Sequence, residues 1–384
     1  MIAQGLRYIP FYLSDITDKD IDNLHGIVKD AENDTFNLIN NYENTFAQLT
    51  KFPFTIAVNT AMYALLLSLK ALGIGEGDEV ISASYTSPDI GEAIEHVRAS
   101  LVFSDIDPQS LILAPDFVRK LINNKTKAII VFDTAGLNND FTPIMQMATS
   151  NGISVIHYTY YNPFYPYNNS SHSLPHITIF ANNDPFLKGA MIATHMEQTH
   201  KLIKALREHG FKNPKDTNNQ SNWYYEVVNP GFDCMMTGIQ CALSIAYLQH
   251  AKSHTEQRLR IAKTYNNLLK PLSDTFLLPA SASQPEHSTW QMYIIRIIKG
   301  TITISRDELI SELKKKGVET SVHFIPLHIH PYYAKKYKSL YNSFVNTYEV
   351  YTSAISLPIY PQLNDDDVNY IGQIIKDTVK RFSR

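Results

Sequence analysis

The segment LKALGIGEGDEVISASYTS, residues 69–87, passes from a helical pattern to a strand pattern within a few residues. Apolar residues at helical spacing fill residues 60–72, and the glycines at 73, 75 and 77 predict the end of that helix. The apolar run at 78–85 is short, which is typical of a buried strand. A helix followed at once by such a strand predicts one unit of an alternating α/β fold.

The same alternation continues along the chain. Short apolar runs predict strands at 99–107, 128–136 and 153–161, and amphipathic segments predict helices at 115–127 and 142–152. Strands separated by helices of this length favour βαβ units. A mostly parallel sheet, of the seven-stranded type, is therefore predicted within about residues 50–230.

The C-terminal third of the chain has a different pattern. Residues 236–272 predict one long helix, or two in sequence, ending at Pro271. Strands are then predicted at 290–299 and 319–326, and helices at 305–317 and from residue 364. We predict a large α/β domain at 1–245 and a smaller C-terminal α/β domain at 246–384. The cleft between two domains is the expected ligand site.

Composition and charge exclude several classes of function. The net charge of −3 gives no electrostatic reason to expect nucleic acid or an anionic membrane as a partner. No run of about 18 apolar residues is present, and the first residues lack a signal-peptide pattern. Cys234 and Cys241, seven residues apart, indicate a reducing compartment. These features predict a cytoplasmic protein.

Seven segments, in order, resemble the DegT/DnrJ/StrS-type sugar aminotransferases. They are residues 40–58, which include Glu43, and residues 69–87, 103–111, 124–136, 231–249, 323–333 and 354–368. The resemblance extends from about residue 9 to residue 375. It implies the type I aspartate-aminotransferase fold, in which two domains bind pyridoxal phosphate (PLP).

The resemblance also implies which residue types the chemistry needs. A lysine forms a Schiff base with PLP, and an aspartate keeps the pyridine nitrogen protonated. A Gly-Thr or Gly-Ser pair at a helix N-terminus binds the phosphate. An aromatic side chain stacks on the ring, and a serine before the lysine also binds the phosphate.

In this chain each of those positions carries another residue. Counted along the motifs, the Gly-Thr pair that binds the phosphate falls on Ala61 and Met62, or on Asn59 and Thr60 if the loop is aligned differently. The stacking aromatic falls on Ser87 and the phosphate-binding serine falls on Ile179. The aspartate falls on Tyr158, and the lysine falls on Asp184. The carboxylate of Asp184 cannot form the Schiff base that a lysine forms, and the neutral phenol of Tyr158 cannot keep the ring nitrogen protonated as an aspartate does. We therefore expect no bound cofactor and no PLP-dependent transamination, which makes the chain a pseudoenzyme of the family.

Other interpretations of the loop at 183–188 remain open. Lys188 is the one nearby lysine that could take the Schiff-base role, which would give an active aminotransferase. Asp184 could be a general base, in a PLP-independent enzyme acting on sugar nucleotides. An aspartate before Pro185 is also a common turn opener, which gives it a structural role.

A second group of residues is predicted to bind a nucleotide sugar or a similar polar molecule. Its members are hydroxyl, aromatic, acidic and imidazole side chains near the cleft: Ser87, Tyr158, Tyr160, Asp184, His323 and His328. No acidic or cysteine partner stands at ligand spacing from the histidines, so no metal is expected. The Tyr- and Asn-rich segment 157–173 suits either sugar contacts or a surface or subunit interface.

The partners implied by the resemblance follow from the family's two-fold active site. We predict a homodimer, with a heterodimer formed with an active paralogue as a second form of assembly. The expected setting is nucleotide-sugar or surface-polysaccharide metabolism.

Overall fold

A seven-stranded sheet forms the centre of the protein in the computed structural model. The structure describes residues 7–30, 35–137, 139–160, 163, 174–182, 184–211, 223–283, 286, 288–338 and 342–383. In chain order the strands are β1 Phe54–Val58, β2 Glu79–Ala83, β3 Ser100–Ser104, β4 Thr126–Phe132, β5 Ser154–Tyr160, β6 Ile177–Asn182 and β7 Gly189–Thr194. They lie in the order β1-β7-β6-β5-β4-β2-β3, and only β7 runs antiparallel to its neighbours. The predicted α/β class and mostly parallel sheet are confirmed.

Helices cover the sheet on both faces. They are α1 Asp18–Asp30, α2 Thr35–Thr50, α3 Ala61–Ala71, α4 Pro88–His96, α5 Pro115–Leu121, α6 Thr142–Ser150 and α7 Glu197–Arg207. The hydroxyl of Thr60 caps α3 by accepting from the Tyr63 amide at 3.2 Å. Gly73 follows the helix with φ +73°, a conformation that glycine adopts without strain. The helix predicted from residues 60–72 thus begins and ends where its capping residues place it.

The C-terminal part is built on a three-stranded antiparallel sheet. Its strands are β8 Phe276–Leu277, β9 Tyr293–Ile297 and β10 Ala354–Leu357, and its helices are α8 Gly238–Leu269, α9 Arg306–Lys315, α10 Pro331–Tyr337, α11 Val345–Ser353 and α12 Asp365–Phe382. The long helix predicted before Pro271 is a single helix of 32 residues, α8. The domain boundary predicted at 245/246 falls inside it and stays a prediction.

The strand predicted at 319–326 is wrong. Ser321 exchanges two backbone hydrogen bonds with Ser356, of 3.1 Å and 2.8 Å, and this pairing lasts for one residue only. The chain then leaves the sheet, and His323 and Phe324 line a cavity instead. This segment therefore contacts the cavity and does not continue as a strand.

The core sits on both faces of the large sheet. On one face, the buried side chains of α3 and α4 pack against β1, β2 and β4–β7. The second face packs partly against the C-terminal module and partly, near β1, β6 and β7, against α2 and α8. The carboxyl ends of β2, β4 and β5 meet at one edge, the usual ligand edge of such a sheet. In the described part of the chain, every helix is too short or too polar to cross a membrane.

Candidate functional site

A cavity of about 350 Å³ opens beside the ends of β5 and β6. Four parts of the chain bound it: the N-terminal arm (residues 7–17), the loop between β6 and β7, helix α8 and the C-terminal module. The lining residues are Phe11, Tyr12 and Asp15; Tyr160; Ala181, Asn182, Asp184, Pro185 and Leu187; Tyr247 and Arg258; and Gln291, Met292, His323, Phe324 and Ile359. Its volume lies at the lower end of ligand pockets, which span roughly 300–1,000 Å³.

Of the six predicted binding residues, three line this cavity. Tyr160, Asp184 and His323 do so, whereas Ser87, Tyr158 and His328 do not. Residues 161, 162 and 164–173 of the Tyr- and Asn-rich segment lie outside the described residues. The cavity therefore brings together three of the six predicted residues, and their role in binding stays a prediction.

Both carboxylate oxygens of Asp184 accept hydrogen bonds from donors within the chain. One oxygen, Oδ1, accepts from the backbone amides of Phe186 at 2.8 Å and Leu187 at 3.3 Å, which closes the turn after Asp184. The other, Oδ2, accepts from Ser14 Oγ at 2.7 Å, from the Asp15 amide at 3.1 Å and from the Tyr12 hydroxyl. The residue both caps its own turn, as the structural interpretation predicts, and anchors the N-terminal arm.

The arm is held a second time by a buried ion pair. Arg258 of α8 donates through Nη2 to both carboxylate oxygens of Asp15, at 2.6 Å and 2.5 Å. Both residues are buried. Burial and the hydrogen bond to Asp184 raise the pKa of Tyr12, so its hydroxyl stays protonated and donates. Together these contacts fasten residues 12–15 over one side of the cavity.

Ser87 and Tyr158 meet at Asp89, in the first turn of α4. Ser87 Oγ and the Tyr158 hydroxyl each donate to Oδ2 of Asp89, both at 3.0 Å. Burial, and then the nearby Asp89 carboxylate, raise the pKa of Tyr158 well above its usual value. Tyr158 is therefore a neutral donor that ties β5 to α4, in a partly buried network separate from the cavity lining.

The two predicted histidines lie in different surroundings. The His323 ring contacts Ser356 Oγ through Nδ1 at 2.9 Å and stacks on Phe11, and burial lowers its pKa to about 4. His328 is fully buried, with Nδ1 in hydrogen-bond contact with Ser84 Oγ. Across the described ranges, no three His, Cys, Asp or Glu side chains are grouped as a metal site requires.

The remaining predicted positions do not face the cavity. Ile179 is buried within β6, and Ala61 and Met62 form the first turn of α3. The Lys188 side chain is exposed, and its backbone oxygen accepts from Gln240 of α8 at 3.1 Å. Lys188 is absent from the lining, and no contact seen in the structure brings it towards Asp184.

Sequence reasoning missed the arm and α8 residues of the site: Tyr12, Ser14, Asp15, Tyr247 and Arg258. Asp15 and Arg258 are 243 residues apart, and Ser14 and Asp184 are 170 apart. Neither spacing carries a local pattern. The one available signal is that an arginine inside a predicted long helix needs an acidic partner if it is buried.

A family model matches most of the chain, at residues 14–159 and 184–376. The chain belongs to the DegT/DnrJ/EryC1/StrS aminotransferase family. Within this family, the spore coat polysaccharide biosynthesis protein SpsC of Bacillus subtilis is 29% identical over 388 residues, covering 99% of both chains. An uncharacterized protein of Methanocaldococcus jannaschii is 34% identical over 345 residues, covering 88% of this chain and 89% of its own length.

Solved structures agree with the family assignment. Spr1654 of Streptococcus pneumoniae, a sugar aminotransferase by assignment, is 25% identical in its PLP form, with a TM-score of 0.86 over 98% of this chain and 99% of that one. PseC of Helicobacter pylori, an aminotransferase of pseudoaminic acid biosynthesis, has a TM-score of 0.86 at 18% identity over 98% of this chain and 100% of its own, and supports the fold alone.

The expectation that no cofactor belongs here is wrong. The chain is a member of an aminotransferase family, and the solved neighbours include PLP and PMP forms of Spr1654. These relatives point to a PLP cofactor rather than none. The predicted residue changes gave a wrong expectation because they bear on how a cofactor would be held. They do not decide whether a cofactor binds.

The described residues do not fit a PLP attached through residue 184. Asp184 has no amine, and its two oxygens already accept five hydrogen bonds. Tyr158, which the sequence places at the ring-nitrogen position as a prediction, is a neutral phenol that donates to Asp89. Asp184 therefore cannot itself make the covalent bond to PLP that the family resemblance assigns to a lysine.

Proposed function

We propose that this chain serves surface-polysaccharide biosynthesis by binding a nucleotide sugar in the cavity, without PLP-dependent transaminase activity. The observation that carries the proposal is the carboxylate of Asp184, which is committed to the arm and to its own turn; the sequence predicts this residue at the position of the family's lysine. Without an imine-forming amine there, the first chemical step of the family has no nucleophile.

The likeness to SpsC, over nearly the full length of both chains, supports the polysaccharide setting. The lining of the cavity supports a sugar ligand. Phe11, Tyr160 and Phe324 offer aromatic faces on which sugar rings stack, and Gln291 offers an amide. Tyr160 stays protonated because burial raises its pKa well above the usual value, so its hydroxyl is a donor.

We extend the proposal to assembly and location. The chain forms a homodimer in the cytoplasm, or pairs with an active paralogue that it supports. The segments at 73–81 and 231–240, which resemble the family's interface motifs, support this assembly. Light scattering at micromolar concentration tests it, and a monomer would count against it.

Binding and activity are tested on the same purified protein. Thermal unfolding is measured with a panel of nucleotide sugars, because a ligand that binds only the folded state raises the melting temperature. We expect a rise with at least one member at millimolar concentration. Amino transfer to keto-sugar nucleotides is measured with added PLP and an amino-acid donor, and we expect none. Measurable transfer, or no thermal shift with any member, would contradict the proposal.

A further inference from the structure

Two of the three charges that line the cavity pair with each other inside the protein. Among the described residues, Arg258 is the one lining side chain with a fixed positive charge, and both oxygens of Asp15 contact its Nη2, whereas its buried Nε has no hydrogen-bond partner there. Asp184 holds five donors. His323 is neutral at physiological pH, because burial lowers its pKa to about 4. The lining thus carries two carboxylates and one guanidinium, a net charge of −1.

The groups left to meet a ligand are uncharged. The Tyr160 hydroxyl has only a weak contact with Met292 Sδ, at 4.0 Å, in the described structure. Gln291 lines the cavity, and its side-chain amide has no hydrogen-bond partner among the described residues. Phe11 and Phe324 add apolar ring faces. Such a set matches the hydroxyls and the apolar faces of a sugar ring.

An anionic group placed in this cavity would meet the Asp184 carboxylate, whose charge no cation of the described lining offsets, because the guanidinium of Arg258 already pairs with Asp15. Like charges brought together in a site partly closed to water repel strongly, because screening by water and salt is reduced there. The repulsion therefore acts on the part of the cavity that Asp184 lines.

We propose that the cavity selects an uncharged hexose ring and rejects one that carries a carboxylate, while the phosphates of the nucleotide lie outside it. This inference rests on the proposed function, since it names the sugar class that the same cavity takes. It makes Asp184 a specificity-determining residue, which acts by the position and charge of its carboxylate.

The test compares UDP-glucose with UDP-glucuronate, which differ only at one carbon of the sugar. UDP alone is the reference. Titration calorimetry on the full chain should give tighter binding for UDP-glucose than for UDP, and at least tenfold weaker binding for UDP-glucuronate than for UDP-glucose. Asp184→Asn should bring the two ligands closer in affinity, and Asp184→Glu, which keeps the charge, should preserve the difference.

The unmodified protein decides the outcome even if Asp184→Asn fails to fold. Equal or tighter binding of UDP-glucuronate would overturn this inference and leave the proposed function standing. If UDP-glucose and UDP-glucuronate both bind no better than UDP, and the thermal-shift panel also shows no ligand, the proposed function fails and this inference fails with it. Uronate discrimination that survives in Asp184→Asn would remove Asp184 from the role.

Discussion

Arg258 and Asp15 join the middle of α8 to the N-terminal arm, with the single nitrogen Nη2 at 2.6 Å from one carboxylate oxygen and 2.5 Å from the other. Both side chains are buried, so each charge depends on the other for its stabilisation. This contact and the hydrogen bonds of Asp184 hold the arm against the cavity from two sides.

Removing one member of the pair should be costly. Arg258→Met leaves Asp15 buried and unpaired, and we expect the free energy of unfolding to fall by about 3–5 kcal/mol. Arg119→Met is the matched control, because its pair with Asp116 is exposed (68% and 85%), and such pairs contribute about 0–1 kcal/mol. Denaturant unfolding at pH 7 measures both, and equal losses in the two variants would contradict the prediction.

No covalent bond to PLP should form at Lys188. The exposed lysine lies off the cavity lining, with its backbone held to α8 through Gln240. After incubation with PLP and borohydride reduction, peptide mass mapping should find no pyridoxyl group at residue 188. An absorption band of the PLP-treated protein that disappears in Lys188→Ala would restore the aminotransferase interpretation. The prediction concerns the covalent bond alone, and non-covalent binding of the cofactor is compatible with it.

The Tyr158 hydroxyl should contribute to stability. Tyr158→Phe removes one of the two described side-chain donors of Asp89, a charged and partly buried acceptor, and we expect a loss of about 1–3 kcal/mol. Tyr370→Phe is the control, since its hydroxyl donates to the Lys316 backbone oxygen at the surface. That change should stay within about 0.5 kcal/mol. A Tyr158→Phe protein as stable as the parent would show that the network has no energetic role.

Stability should fall below neutral pH through His323. Burial lowers its folded-state pKa from 6.5 to about 4, so between these values the unfolded chain binds a proton that the folded chain does not. The unfolding free energy therefore rises with pH across this window, and His323 accounts for about 3 kcal/mol at 1.36 kcal/mol per pKa unit. His323→Gln should show a smaller loss between pH 7 and pH 4.5. The exposed His25→Gln should follow the parent, and identical pH profiles for all three would refute the assignment.

Local patterns were enough to predict most of the sheet and its helices. The helix from residue 60 has its own cap in Thr60 and its own stop in Gly73, so neighbouring residues determine where it lies. The strand predicted at 319–326 failed because pairing with the sheet lasts for one residue, Ser321, after which His323 and Phe324 line the cavity. A short apolar run indicates burial, and a sheet is only one way to bury it.

The site could be predicted only where a residue's role is local. Asp184 precedes a proline, and that pair alone indicates its turn. Its bonds to the arm join residues about 170 positions apart, and no spacing in the sequence records them. Tyr158 was placed in the cleft because the family resemblance puts the partner of the ring nitrogen there, yet its hydroxyl turns to Asp89. The direction in which a side chain points near the end of a strand depends on packing, and a sequence pattern does not record packing.

Helix α8 has a consequence for how ligands exchange. Its 32 residues, at 1.5 Å each, make a rod of roughly 48 Å that runs unbroken through the boundary predicted between the two domains. A helix that continues from the large predicted domain into the small one resists the hinge rotation by which two-domain proteins often open. We expect ligand release to be timed by detachment of residues 11–15 from Asp184 and Arg258, so weakening either contact should quicken dissociation more than it slows association.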